Sequence, residues 1–394
     1  MTQTLAPPHD PATPDGTRRE GLTLTVPARA LAKAVAAVLP TSDAKQTGTV
    51  FGALRLRWTD GTLTLETTNG AQYARVAIAA PAGTSETFAA VPARKFAELV
   101  DSLTGETVRL STTSTRVVLT QERTRLALAR ASDDAPTWPT PSGPQFRLPR
   151  ATLLQLGIRA AFAASQREDR PVLRGVLLTG RFPGVLTAVG TDGHRLALER
   201  VACALEAWPD MIVPAGFFEH VARIFADVDE LTVTVDVSAQ HIRVEGEGYA
   251  YASTLIAGPF PAFEAVIPDA PTTRVRVTRA AFRQSVKRVG LIASDQTHRV
   301  RLSVGAADAP IAVATATPDL GEATDDLMAE RIDGPAVVIG FNAAYLVEGL
   351  GMLDDTTVEL AFTGPERAAL LRPLDASGVP REGSVQVLMP LRLD

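Results

Sequence analysis

The sequence predicts an α+β fold built from three tandem copies of one β-rich unit, in which two helices pack on sheets. Two observations support this prediction. Proline marks strand-to-helix junctions at a fixed interval, because Pro27 and Pro92 are 65 residues apart and so are Pro149 and Pro214. The order of predicted strands and helices also restarts about every 125 residues, which is typical of repeated supersecondary units.

The first copy can be assigned element by element. A helix is predicted from Pro27 to Leu39, and a strand end followed by a helix over Val91–Val100, since apolar residues recur at helical spacing and proline is favoured in a first helical turn. Strand-like runs lie around them, at Leu22–Val26, Gly52–Trp58, Leu63–Thr68, Tyr73–Ala79, Thr107–Ser111, Arg116–Thr120 and Arg125–Ala131.

The second and third copies follow the same order. In the second copy, helices are predicted over residues 149–164 and 214–226. In the third copy, helices are predicted to start at Thr278 and near Phe341, which is 63 residues further on. Three spacings that agree indicate a repeated unit rather than a chance match.

Proline-rich segments separate the copies. Asp133–Pro139 and Pro259–Pro261 have the composition of linkers and mark the two boundaries. The predicted domains therefore span residues 21–138, 139–262 and 263–394. Residues 1–20 are rich in Pro, Thr and Asp, and we expect them to form a disordered N-terminal extension.

Composition narrows the class of protein. The chain has 394 residues, 45% of them hydrophobic, and no apolar run approaches the length of a membrane span. The N-terminus lacks the apolar region of a signal peptide. The single cysteine, Cys203, excludes an internal disulfide and suits a reducing compartment, so a cytoplasmic protein is expected.

Positive charge is concentrated on the predicted helices. The six helices carry eleven basic and four acidic residues, although the whole chain has a net charge of −5. Basic helices on an acidic body would attract nucleic acid at one surface only. The last helix, Phe341–Leu353, has no basic residue.

One helix carries a basic stripe. Arg279, Arg283 and Lys287 follow one another at intervals of four residues, so they lie on one helical face. Like charges at this spacing are mildly destabilising, and a phosphate countercharge would explain them. A solvated helix face is the alternative interpretation.

The sequence carries no motif of a common catalytic or metal site. A Walker A motif, a dinucleotide-binding glycine motif, a nucleophile elbow and a paired His or Cys zinc motif are all missing. No cofactor and no metal are therefore predicted. An enzyme of hydrolase type that uses Asp192 and His194 is one alternative function, although no nucleophile or orienting partner can be named for it. A monomeric scaffold built of the same repeats is another.

A hexapeptide near the middle of the chain identifies a family. Strand-like runs flank Thr191–Leu196, T-D-G-H-R-L, and its Asp-Gly pair predicts a hairpin turn. With the repeats, this hexapeptide resembles the bacterial DNA polymerase III β subunit, or sliding clamp, over the chain from about Gly21 to its end. The resemblance implies two crescents of three domains joined head to tail in a closed ring, with twelve helices lining the hole.

The resemblance also implies a function and partners. A sliding clamp is a non-catalytic homodimer that encircles double-stranded DNA without sequence preference. It tethers the replicative polymerase, and polymerase and clamp-loader subunits bind it through short linear motifs. The resemblance implies no membrane partner. It implies a location in the cytoplasm, at the nucleoid.

A partner-peptide pocket between the second and third domains is implied by residues that match the family pattern. They are Leu173, Thr191, Gly193, His194, Arg195, Leu196, Pro261, Val266, Val387, Met389, Pro390, Leu391 and Arg392. A small apolar cleft edged by Arg195 and Arg392 suits a peptide with one or two apolar anchors. A last strand packed on its sheet is the alternative for Val387–Leu393. Ala265 and Asp394 depart from the family pattern.

DNA-contacting and dimer residues are expected as well. The DNA-contacting candidates on helices are Arg94, Lys95, Arg159, Arg223, Arg279, Arg283 and Lys287, and the family pattern adds the loop residues Lys45 and Arg167. Pro171 and Val172 replace an aromatic pair of the family, so base stacking is not expected there. The apolar dimer contacts implied are Leu126 and Leu128 on one side and Leu291 and Ile292 on the other.

Overall fold

The computed structural model describes most of the chain. The described residues are 23–43, 45–46, 49–80, 87–132, 134, 137–203, 208–294, 297–305 and 309–393. The predicted N-terminal extension, residues 1–20, lies outside them. By internal contacts the chain forms two compact units, Met1–Thr67 with Ala77–Ala135, and Thr68–Val76 with Pro136–Asp394.

All six predicted helices are present. They are α1 (Ala28–Val38), α2 (Ala93–Asp101), α3 (Arg150–Ala161), α4 (Phe217–Ile224), α5 (Arg279–Gly290) and α6 (Ala343–Gly351). Pro27, Pro92 and Pro149 each end a strand and stand at the N-cap of the following helix. Pro214 instead ends a strand two residues before Gly216, the N-cap of α4, so the helix predicted from Pro214 starts later.

The first unit contains two helices and antiparallel strands. Its strands are β1 (Thr23–Pro27), β2 (Ala53–Thr59), β3 (Thr62–Thr68), β5 (Thr87–Pro92), β6 (Thr107–Thr112), β7 (Arg116–Gln121) and β8 (Thr124–Ala129), and β4 (Gln72–Ala79) is divided between the units. One sheet has the order β1-β6-β7-β8, which leaves β8 at its edge. Side chains of β1 alternate between exposed and buried, as expected of a strand with one face on the core.

The second unit contains four helices and the remaining strands. They are β9 (Gln145–Pro149), β10 (Gly175–Phe182), β11 (Val185–Thr191), β12 (Arg195–Ala202), β13 (Met211–Pro214), β14 (Glu230–Asp236), β15 (His241–Gly246), β16 (Tyr249–Thr254), β17 (Thr273–Thr278), β18 (Arg299–Val304), β19 (Pro310–Thr317), β20 (Gly321–Met328), β21 (Arg331–Asp333), β22 (Val337–Asn342), β23 (Thr357–Phe362), β24 (Ala369–Pro373) and β25 (Ser384–Leu388).

A nine-stranded sheet joins the second and third repeats. Its order is β13-β10-β11-β12-β25-β24-β23-β17-β21, so strands of both repeats form one sheet. The seam is the antiparallel pair β12 and β25, in which Leu196 is opposite Val387. The hairpin predicted around Asp192–Gly193 is therefore confirmed as β11 and β12, and it lies at this seam.

The two faces of this sheet are both apolar near the seam. One face packs on α5 and α6 through Val275, Leu360 and Leu371, among other residues. The opposite face carries Leu196 and Val387 in a second buried cluster. Both faces of the sheet are therefore buried in apolar clusters near the seam.

Candidate functional site

The hairpin turn between β11 and β12 is fixed by its own side chains. The Oδ1 atom of Asp192 accepts the backbone N–H groups of His194 at 2.8 Å and Arg195 at 3.0 Å. Gly193 has a φ of +90°, which a side-chain-bearing residue rarely adopts. His194 is exposed, and its carbonyl accepts the N–H of Met389 at 2.9 Å. The turn thus holds the end of β25 next to His194.

Arg195 is enclosed rather than exposed at the edge of a cleft. Its side chain is 10% exposed and forms ion pairs with Asp192 and Glu348. The Nη2 atom donates to the carbonyl of Phe162 at 2.8 Å, and the guanidinium lies 4.3 Å from the ring centre of Tyr345. The sequence did not single out Tyr345 or Glu348, because neither belongs to a local motif.

The predicted pocket residues divide into a buried set and an exposed set. Leu173, Leu196 and Val387 are at most 5% exposed. Val266 is 46% exposed and Met389 is 43% exposed, which is high for large apolar side chains. A partner can reach the exposed members directly, whereas Leu196 and Val387 are buried in strands of the sheet.

A groove lies along the C-terminal tail. Four predicted residues, Met389–Arg392, line a depression of about 710 Å³. The other lining residues are Val338, Pro365, Glu366, Arg367 and Leu393. Pro261 lines a different cavity, of about 450 Å³. Sequence reasoning missed Val338 and Pro365–Arg367 because they lie outside any motif and reach the groove only through sheet pairing.

The contacts of Asp192 are those of a residue that stabilises a turn. The carboxylate of Asp192 is occupied by two backbone N–H groups and by Arg195. Among the described residues, no group of three His, Cys, Asp or Glu side chains lies close enough together to hold a metal ion. Within the same part of the chain, no helix is long and apolar enough to cross a membrane.

Two arginines of the basic stripe on α5 contact α6 instead of facing solvent alone. Arg279 donates to the carbonyls of Asp355 at 2.7 Å and Leu350 at 3.2 Å, and Arg283 donates to that of Val347 at 3.0 Å. Leu350 lies in the last turn of α6 and Asp355 lies beyond it, where the helix dipole favours positive charge, whereas Val347 lies in the middle of the helix. These two arginines therefore have hydrogen-bond acceptors within the protein, whereas Lys287 is exposed.

Most of the other predicted DNA-contacting residues are exposed. Arg94 and Lys95 both lie near Glu98, at 3.9 and 2.6 Å. Lys45 and Arg223 are exposed, and Arg167 is exposed with an ion pair to Asp169. Arg159 differs, because its side chain is 14% exposed and is paired with Asp354.

The predicted dimer residues lie at or near free sheet edges. Leu126 and Leu128 point to one side of the edge strand β8 and are half-buried. Leu291 follows α5 and is 75% exposed, the most exposed large apolar side chain described, and Ile292 beside it is half-buried. The edge strand β20 belongs to the sheet β20-β19-β18-β22 of the same repeat. Exposed apolar side chains at unpaired edges favour association with another chain.

A buried carboxyl group lies at the seam between the second and third repeats. Glu199 on β12 is 3% exposed, and the Oγ atom of Ser384 on β25 donates to it at 2.5 Å. Burial raises the pKa of Glu199 to about 7, against the opposing effects of Ser384, Arg159 and Arg381. The charge of Asp355 raises this pKa further.

Replacing Glu199 with Gln should make the protein more stable at pH 8 and leave its stability at pH 5 nearly unchanged. A carboxyl with a pKa of 4.5 when unfolded and about 7 when folded resists ionisation in the fold. The free energy of unfolding therefore falls as the pH rises between these values, by up to about 3 kcal/mol. Denaturant unfolding between pH 4.5 and 8.5 measures the free energy of unfolding of both proteins. If this free energy depended on pH in the same way in the parent and in Glu199→Gln, the prediction would be wrong.

Three family models match the chain in order along its length. They describe the DNA polymerase III beta subunit: the N-terminal domain at residues 22–139, the central domain at 147–262 and the C-terminal domain at 264–392. The beta sliding clamp of Pseudomonas putida KT2440 is 28% identical over 308 residues, which cover 77% of this chain and 81% of that protein.

Solved structures agree with the sequence comparison. The sliding clamp of Pseudomonas aeruginosa bound to griselimycin superposes with a TM-score of 0.87 at 25% identity, over 95% of this chain and all of the other. The sliding clamp of Bacillus subtilis has the same fold, with a TM-score of 0.87 at 21% identity over 95% of this chain and 100% of its own.

Three repeats of this fold, with two helices each, define a DNA clamp of the bacterial type. The chain belongs to the family of DNA polymerase III beta subunits. Members of this family are non-catalytic processivity factors, and the enzyme alternative for Asp192 and His194 has no support from it.

Proposed function

We propose that this chain is a sliding clamp that encircles duplex DNA as a head-to-tail homodimer and tethers a replicative DNA polymerase. The observation that carries the proposal is the match of all three domain models, in order, to a chain with the fold of solved clamps. Such a ring holds DNA by topology, so it needs neither base contacts nor a cofactor. Its place of action would be the nucleoid.

Ring closure would join β8 of one protomer to β20 of its partner. Both are edge strands, and both alternate between exposed and half-buried side chains. Arg123 and Arg125 are exposed at the β8 edge, and Glu322 and Asp326 are exposed on β20. This charge complementarity supports pairing of the two strands, with Leu126, Leu128, Leu291 and Ile292 as the apolar part. A head-to-tail contact closes a ring when the rotation between protomers allows it.

Weak phosphate contacts would line the ring. We propose Lys45, Arg94, Lys95, Arg167, Arg223 and Lys287 as DNA-contacting residues, and their exposure supports this. Arg159, Arg279 and Arg283 each have a protein partner already. We therefore propose that they act on DNA through the positive electrostatic potential that they add. Binding of this kind is insensitive to sequence and weakens steeply with salt.

Changing Lys287 to Glu should weaken retention on DNA and leave the fold intact, whereas Arg283→Glu should destabilise the fold. Lys287 is exposed, so reversing its charge should not disturb the packing of the fold. Arg283 donates to the Val347 carbonyl, and a carboxylate there would leave this group unpaired, at a cost of about 2 kcal/mol. Thermal unfolding and salt-dependent DNA retention measure the two effects. Unchanged retention in Lys287→Glu would show that this residue is only part of a solvated face.

The partner pocket would take a short linear motif from polymerase and clamp-loader subunits. The exposed apolar residues Val266 and Met389, with the groove along Met389–Arg392, support this proposal. Leu173, Thr191, Leu196 and Val387 would form the floor beneath the bound peptide. Met389 is unbranched and adaptable, which suits a surface that receives several partners.

A further inference from the structure

We propose that four arginines on one sheet face of the third repeat form a docking surface for an acidic, extended peptide segment of a partner protein. They are Arg274, Arg276, Arg331 and Arg372. This surface, which we call the arginine face, lies on β17, β21 and β24. These strands are not those of the β11–β12 hairpin or of the C-terminal tail, so the arginine face is distinct from the partner pocket.

The strand register brings the arginines into one row across the nine-stranded sheet. Arg276 on β17 is directly opposite Arg331 on β21 and, on its other side, Glu359 on β23. Glu359 is in turn directly opposite Arg372 on β24. Side chains of directly opposite residues lie on the same face. The row therefore crosses four neighbouring strands, a distance of about 14 Å.

This row lies on the face of the sheet turned away from α5 and α6. Val275 of β17 is buried in the apolar cluster that contains residues of both helices. Successive side chains of a strand point to opposite faces, so Arg274 and Arg276 point away from these helices. Arg274 is directly opposite Asp333 of β21, which places a second row next to the first.

A partner can reach the arginine face from solvent. The side chain of Arg331 is 61% exposed and that of Arg274 is 42% exposed. β21 is the last strand in the order of the sheet, so no further strand of this sheet lies beyond Arg331.

Two carboxylates serve the four arginines. Glu359 is 2% exposed, and its Oε1 atom accepts Nη2 of Arg372 at 2.5 Å and Nη1 of Arg274 at 3.4 Å. One oxygen atom is thus shared by two guanidinium groups. The other ion pair joins Arg331 to Asp333 at 2.7 Å.

Arg276 is the arginine without a carboxylate of its own. Among the described residues it forms no ion pair, and its buried Nε atom has no hydrogen-bond partner. It also stands directly opposite Arg331, and like charges at such positions destabilise a sheet. The hydrogen bond from Arg331 holds the pKa of Asp333 below its usual range, and the charges of Arg276 and Arg274 lower it further. A carboxylate from another chain would supply the missing countercharge.

An extended acidic peptide suits this surface better than nucleic acid does. Arg274 and Arg276 are two residues apart on one strand, about 7 Å, and alternate side chains of an extended peptide have the same spacing. Arginine binds carboxylates through two parallel hydrogen bonds. A nucleic acid strand needs a longer positive track. Here Asp333 and Glu330, whose carboxylate accepts two threonine hydroxyls, bound the face, and the whole chain has a net charge of −5.

The test measures fluorescence anisotropy of a labelled peptide, Glu-Ser-Glu-Ser-Glu, with the full-length protein at low salt. Its matched control peptide has Gln at each Glu, and a labelled ten-nucleotide oligothymidylate tests nucleic acid. The variants are Arg276→Gln and Arg331→Gln, since glutamine places no new carboxylate beside Glu359. The control variant is Arg109→Gln, because Arg109 is an exposed strand arginine of another sheet with threonines opposite it.

We expect the parent to bind the Glu peptide about tenfold more tightly than the Gln peptide and to lose this preference as salt screens the charges. Arg276→Gln should weaken binding of the Glu peptide about fivefold, and Arg331→Gln about threefold. Arg109→Gln should bind as the parent does. Thermal unfolding should show Arg276→Gln to be at least as stable as the parent, because the repulsion from Arg331 is relieved.

Three results would overturn the docking surface. Equal binding of the two peptides by the parent, or equal binding of the Glu peptide by the parent and Arg276→Gln, would show that these arginines form only a solvated face. Tighter binding of the oligothymidylate that is lost in Arg276→Gln would assign the face to nucleic acid instead. A parent that is a dimer and stays on circular DNA, yet binds no acidic peptide, would overturn this proposal and leave the proposed function standing.

Discussion

Changing Leu291 and Ile292 to aspartate should convert the dimer to a folded monomer of 41.7 kDa. Leu291 is 75% exposed in the single chain, so the fold does not depend on its burial. At the proposed ring contact it would be buried against Leu126 and Leu128 of the partner. A buried leucine contributes about 2 kcal/mol, and a charge placed there would oppose association further. Native mass spectrometry at micromolar concentration gives the result directly.

A matched variant distinguishes a lost interface from a general effect of added charge. Val379 is 55% exposed in the connection between β24 and β25 and belongs to neither proposed edge strand, so Val379→Asp should remain a dimer. A double variant at Leu291 and Ile292 that keeps the mass of the parent dimer would contradict the assignment of this edge. Circular dichroism confirms that each variant is folded.

Deleting Met389–Asp394 should abolish binding of a peptide that carries the short linear motif of a polymerase subunit, while the dimer persists. The deletion removes one wall of the groove, including the exposed side chains of Met389 and Leu393. It costs the fold few contacts, notably the hydrogen bonds of Met389 to His194 and of Leu391 to Gly340. Because a buried anchor residue typically contributes about 2 kcal/mol or more to binding, the loss of two should weaken affinity by about a thousandfold.

A single substitution in the pocket, His194→Ala, is compared with the deletion of the tail. His194 is exposed at the turn and buries little against a partner, so His194→Ala should weaken the peptide much less than the deletion does. The reverse order of effects, with His194 decisive and the tail dispensable, would contradict the assignment of the pocket. Isothermal titration calorimetry of the three proteins measures both effects.

Local sequence signals predicted the helices and the hairpin well. The interval of 65 residues between Pro27 and Pro92, repeated from Pro149 to Pro214, corresponds to real strand-to-helix junctions. The exact start of α4 was wrong, because Ala215 and Gly216 form a turn before the helix. Such details depend on packing, which local propensity does not report.

The joining of the second and third repeats could not be predicted. It depends on the pairing of β12 with β25, strands separated by nearly half of the chain, and no local pattern encodes such a pairing. The sequence shows where the copies begin and end. The structure adds that two of them share a sheet.

Side-chain partners were the least predictable part of the candidate site. Arg279 and Arg283 were assigned to DNA from their spacing, yet each donates to a carbonyl of the α6 region. Arg195 was placed at the edge of the apolar cleft, and the structure shows that Tyr345 and Glu348 enclose its side chain. Helical spacing shows which residues share a face, but not which neighbouring element covers that face.

Retention on DNA before and after linearisation tests the central claim most directly. The protein, loaded by its clamp loader onto a nicked circular plasmid, is followed by gel filtration, and the plasmid is then cut once at a distant site. A ring held by topology should stay on the circle for many minutes and leave soon after the cut, because it slides off the ends. Equal retention on circular and linear DNA would show that contacts alone hold the protein, and would contradict a sliding clamp.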